Sequence, residues 1–132
     1  MFITQLADTV YGRKIFLFIG TRQEFVFHLS EVWGKHASKG ICKDACGQMH
    51  WFRVPSEYEG VKSRVYYLWS LRFNGSVKDI GTLAHEAFHV ATTILCDLGV
   101  DTNDTDGSES VAYYMESIFT QSLEALYAKK EG

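Results

Sequence analysis

The stretch VKDIGTLAHEAFHVATTILCDLG, residues 77–99, decides how this chain folds. Ile80, Leu83, Ala84, Ala87, Phe88, Ala91, Ile94, Leu95 and Leu98 recur at the three-and-four spacing of one helical face, and Gly99 stands where helices end in a left-handed residue. The stretch therefore reads as a helix from Val77 to Leu98. Upstream the hydrophobic period shortens to that of a strand. Ser63 to Leu71 puts Val65, Tyr67, Trp69 and Leu71 on one face and Arg64, Tyr66, Leu68 and Ser70 on the other. Gln48 to Val54 alternates likewise, and the two segments read as an antiparallel pair joined across Pro55 to Gly60.

Further upstream, Arg13 to Ile19 is an apolar-centred run closed by Gly20, which fits a strand buried on both faces. Thr21-Arg22-Gln23-Glu24 has the capping-box form, in which the hydroxyl and the carboxylate each satisfy an orphan backbone N–H. Phe25, Leu29, Val32 and Trp33 follow at helical spacing and predict a helix over 22–36. Downstream of Gly99, residues 101–107 form a polar acidic loop, and Ser108 is suited to cap a last helix reaching Lys129. The predicted order is strand, helix, strand, strand, helix, helix. That is an α+β domain with a small, mainly antiparallel sheet packed against three helices.

The whole chain of 132 residues is read as one domain, since a 46% hydrophobic composition with one proline is enough for a single core and leaves no linker. A formal charge of −3 gives no net attraction to phosphate backbones or anionic lipid, so neither nucleic acid nor a membrane is an expected partner. Met1 to Asp8 has no basic segment followed by an apolar one. Cys42, Cys46 and Cys96 are odd in number, which fits a reducing compartment, and the expected location is the cytoplasm. The spacing Cys42-x3-Cys46-x3-His50 could begin a structural zinc site, but no fourth ligand is evident and unpaired cysteines are the simpler reading.

His85 and His89 are four residues apart on the predicted helix, one turn from each other on one face, where both imidazoles can bind one ion. Zinc accepts such nitrogens readily. Glu86 flanks them, where a carboxylate can take a proton from attacking water and pass it to a leaving amine. The bland reading of the same residues is a polar stripe on the solvent side of an amphipathic helix.

Gly81 to Val90, followed by Glu109-Ser110-Val111-Ala112, resembles the zincin metallopeptidases, specifically the gluzincin branch, and looks like small phage-encoded metallopeptidases. The resemblance covers Arg64 to Leu126. It implies a minimal zincin-like domain with Zn2+ held by His85, His89 and Glu109, and with Glu86 as catalytic base. It further implies hydrolysis of a peptide or protein substrate, an edge strand near Arg64 to Leu71 that pairs with extended peptide, and the host cytoplasm as location if the chain is phage-encoded. In that branch the third ligand lies about twenty residues past the second histidine, the separation of Glu109 from His89, and Glu116 competes for the role. The metzincin pattern is absent, since Thr92 and Leu95 stand where it requires glycine and histidine.

Two other readings are carried forward. One is a zincin-like binding or inhibitory module that keeps the metal and cleaves nothing. The other is a single-strand nucleic-acid module built on Arg53, Tyr58, Lys62, Arg64, Tyr66, Tyr67, Trp69 and Arg72, although the same aromatics also suit a small sheet. Tyr113 and Tyr114 could each offer a phenol to an oxyanion, but an aromatic pair on a helix more often belongs to a core. Asp101, Asp104 and Asp106 superficially suggest a calcium loop, yet the downstream glutamate has the wrong spacing.

Overall fold

A computed structural model describes residues 1–55 and 62–131. Four strands and three α-helices form in it: β1 (Phe2–Leu6), β2 (Lys14–Ile19), α1 (Arg22–Trp33), β3 (Gly47–Pro55), β4 (Lys62–Ser70), α2 (Val77–Asp97) and α3 (Thr105–Glu131). The predicted α+β class is observed. The connection expected across Pro55 to Gly60 lies outside the described residues beyond Pro55.

The sheet runs β1-β2-β4-β3, with β1 antiparallel to β2, β3 antiparallel to β4, and β2 parallel to β4. A parallel neighbour cannot be reached by a tight turn, and α1 together with β3 makes up the long crossover. The sequence reading assigns no strand to Phe2–Leu6. It pairs with β2 from Phe2 opposite Ile19 to Leu6 opposite Ile15. Strand order also corrects the expected edge: β4 lies between β2 and β3, so the free edge on that side belongs to β3.

The alternation in β2 and β4 divides the core in two. Ile15, Leu17, Tyr66 and Leu68 face α2 and α3, where they meet Leu83, Ala87, Ile94, Tyr114 and Ile118. Phe18, Val65, Tyr67 and Trp69 face α1 and pack on Phe25 and Leu29. Both inner strands are thus covered on both sides, as the apolar run in β2 requires.

Helix ends follow local chemistry. The Thr21 hydroxyl accepts from the Glu24 N–H and the Glu24 carboxylate accepts from the Thr21 N–H, completing the predicted capping box. The first helix stops at Trp33 rather than near His36, because Gly34 takes φ +99° and a short 3-10 turn, Lys35–Ser38, follows. At the end of α2, Gly99 has φ +81°, its N–H donates to the Cys96 carbonyl, and the Val100 N–H donates to the Leu95 carbonyl. That is a Schellman motif. The last helix begins three residues before the predicted Ser108 cap. Asp104 caps it instead, its Oδ1 accepting from the Gly107 N–H at 2.6 Å. A Cβ on Gly107 would stand 1.7 Å from the Asp101 carbonyl oxygen, so the turn into α3 is built around the missing side chain.

Candidate metal site

A cap at its start and two contacts with the sheet set α2 in place. The Ser76 hydroxyl caps its first turn by accepting from the Asp79 N–H at 3.2 Å. At its other end Asp97 accepts from the Tyr66 hydroxyl at 2.6 Å and pairs with Arg64, which ties the last turn to β4. Burial, reinforced by the hydrogen bond to Asp97, pushes the Tyr66 phenol up to about 12. Near the middle, the helix passes close to the start of β3, where a Cβ on Gly47 would lie 2.8 Å from the Trp69 carbonyl oxygen and 2.9 Å from Thr82 Cγ2. Glycine is what lets α2 come down on the sheet there.

Glu86 sits in that close approach. It is only 7% exposed, and its Oε1 accepts from the Met49 N–H of the edge strand at 3.0 Å. One turn of α2 carries His85 and His89 on the exposed side. Their Nε2 atoms are 3.0 Å apart and their rings meet edge-on with centroids separated by 4.6 Å. One ligand atom from each of His85, Glu86 and His89 lies within 4.8 Å of the others. Two bonds of about 2.0–2.1 Å to one zinc ion span up to about 4.2 Å, and about 3.3 Å at the tetrahedral angle, so the imidazole pair fits a shared ion with a small opening.

Glu109 is not brought to this group. It is exposed on the first turns of α3 and lines a separate hollow with Ser108, Ala112 and Tyr113. The cause is the rotational setting of α3: Val111, Tyr114 and Ile118 are buried against α2 and β1. Glu109 is nine residues from Ile118, and at about 100° per residue that puts the two on opposite faces. Glu116, seven residues on from Glu109, shares the outer face and is also exposed. The stripe Val111, Tyr114, Ile118, Leu126, which sets that outer face, was present in the sequence.

The remaining candidates are also located. Tyr113 is 71% exposed on the outer face of α3, while the Tyr114 hydroxyl donates to Asp8 Oδ2 at 2.6 Å beside the β1–β2 connection. His50 is buried on the α1 side, bonded through its ring to the Ala37 carbonyl, while Cys42 and Cys46 are exposed, and among the described residues the three form no close group of ligand atoms. Tyr66, Tyr67 and Trp69 are buried, with the Tyr67 hydroxyl accepting from Trp33 Nε1 at 2.8 Å, which removes the stacking surface that nucleic-acid binding would use; Tyr58 lies outside the described residues. Asp101 and Asp104 spend their carboxylates on the N–H groups of Asn103 and Gly107. Phe88, expected in the apolar face, is 44% exposed and rests beside His89.

Sequence reasoning missed what stands opposite the imidazoles. Ala45, Cys46 and Gly47 face His85 and Glu86 across one hollow, and Cys42, Gln48 and Met49 face Glu86 and His89 across the next. Nothing in the spacing linked residues 42–49 to residues 85–89. Among the described residues no helix is long and apolar enough to cross a membrane. No protein-family model, curated protein or solved structure matches the chain.

Proposed function

We propose that this chain is a zinc-dependent peptide hydrolase in which His85 and His89 hold the metal and Glu86 is the base. The observation that carries the reading is the 3.0 Å approach of the two Nε2 atoms beside a buried carboxylate at the free edge of a sheet. A zinc ion held there would supply Lewis acidity to a bound carbonyl and to water. Glu86 would take a proton from the attacking water and return it to the departing amine; with Oε1 bonded to the Met49 N–H, Oε2 is the oxygen left for the transfer. The outer edge of β3 offers backbone groups to an extended peptide next to this carboxylate.

Protein purified without added metal should carry about one zinc per chain. A mixture of unstructured peptides should be cleaved by the wild type, while Glu86→Gln keeps the zinc and loses the cleavage. Protein that refuses zinc in titration overturns the reading.

A second reading is favoured by the same hydrogen bond. Glu86 already satisfies an edge N–H of β3 and is buried in doing so, as a purely structural carboxylate would be. The chain would then hold metal as a binding module. That alternative is identified by full zinc occupancy, no cleavage, and a Glu86→Gln variant that changes melting temperature only.

A further inference from the structure

Two imidazoles are too few for a catalytic zinc site, which takes three protein ligands and leaves one position open. The third donor must come from what stands around His85 and His89. Glu86 belongs to the same turn and is tied to β3, and Glu109 and Glu116 are exposed on α3 and outside the close group of ligand atoms. The wall facing the pair is the segment between the 3-10 turn and β3, and it carries two free, exposed thiols, Cys42 and Cys46.

Resting on the metal reading of His85 and His89, we propose that Cys42 Sγ is the third protein ligand, making a His2Cys site for zinc or a similar thiophilic divalent ion. Cys42 shares its hollow with His89 and Glu86. Its backbone is fastened from three directions. The Cys42 N–H donates to Gln48 Oε1 at 2.9 Å, Gln48 Nε2 donates to the Gly40 carbonyl at 3.0 Å, and Arg22 donates to the carbonyls of Ile41 and Cys42 at 3.2 and 3.3 Å. These bonds fold the segment back on the start of β3 and keep Cys42 at the mouth of the site.

Cys46 is the weaker candidate. Its carbonyl accepts from the Leu71 N–H at 2.9 Å, and its surroundings extend toward Arg72, Lys78 and Asp79 at the start of α2, away from His89. The Cys42 sulfur is not among the atoms that lie within 4.8 Å of one another, so metal binding draws it inward. The backbone of Cys42 stays fastened, and the movement falls to its exposed side chain, in a segment that belongs to no helix or strand. As the Sγ–metal bond forms, the thiol proton passes to solvent. A soft thiolate in the set favours zinc over magnesium or calcium.

The test is cobalt(II) titration of the full, reduced chain followed by absorption spectroscopy, with zinc affinity read by chelator competition. The wild type should show visible d–d bands of a four-coordinate site and a near-ultraviolet sulfur-to-cobalt charge-transfer band. Cys42→Ser should lose the charge-transfer band and weaken zinc binding by more than about 100-fold, since loss of an outer-shell partner alone costs about 10–100-fold. Cys46→Ser and Glu109→Ala should keep the band and the affinity. Far-ultraviolet circular dichroism checks that each variant folds. Visible bands without charge transfer in the wild type, or a charge-transfer band that survives Cys42→Ser, overturn Cys42 as the ligand and leave the imidazole pair standing. Absence of any cobalt spectrum overturns both.

Discussion

Replacing Gly47 by alanine tests whether α2 really touches the sheet where Glu86 meets β3. The added Cβ would stand 2.8 Å from the Trp69 carbonyl oxygen, 2.9 Å from Thr82 Cγ2 and 3.5 Å from Glu86 Cγ. The first of these is backbone of the central strand β4 and cannot rotate away, so either β3 or the middle of α2 must shift. Overpacking of this kind costs about 1–3 kcal/mol. Against it stands the gain of about 0.4–1 kcal/mol from restricting the unfolded chain, which applies because Gly47 does not have a positive φ. The net expectation is a loss of about 0.5–2 kcal/mol, or about 3–5 °C of melting temperature for each kcal/mol in a domain of this size. Gly81 is the control. It lies in α2 with nothing within 4 Å of its added Cβ, so Gly81→Ala should stabilise by about 0.5–1 kcal/mol. Thermal unfolding followed by circular dichroism reads both. A Gly47→Ala protein as stable as the wild type, or a Gly81→Ala protein less stable, would refute the contact between α2 and β3 as described.

Other outcomes follow from the same structure. His85→Ala and His89→Ala should each weaken zinc binding by more than about 100-fold, and undiminished binding in either would remove the pair from the site. Burial holds His50 below the ordinary imidazole range, with its hydrogen bond to the Ala37 carbonyl opposing in part. Between that lowered value and about 6.5 the unfolded chain binds a proton that the folded chain does not. Stability is therefore full above about pH 6.5 and falls as pH drops below it, and denaturant titrations should show a shallower acid limb in His50→Asn, an unchanged limb counting against the burial. Tyr114→Phe deletes the hydroxyl that donates to Asp8 at 2.6 Å and should cost about 1.5–3 kcal/mol in chemical denaturation, whereas a neutral result would mean that water replaces the bond.

The sequence by itself determined whatever depends on a few consecutive residues. The Thr21 to Glu24 capping box, the Gly99 terminus of α2 and the two-faced alternation of β4 were legible because caps, left-handed ends and pleats are set within one turn or one strand. The same locality explains the approach of His85 to His89, since i and i+4 meet on any helix whatever surrounds it. The rotational setting of α3 was legible in principle from its apolar stripe, but the separation of Glu109 from His89 along the chain says nothing of direction in space. Only the tertiary structure decided the pairing of β1, the parallel contact of β2 with β4, the placing of β3 at the free edge, and the arrival of Cys42 and Cys46 beside the imidazoles. Those partnerships form between segments distant in sequence. They are fixed by which strands and helix faces bury together, a global balance that no short window of residues contains.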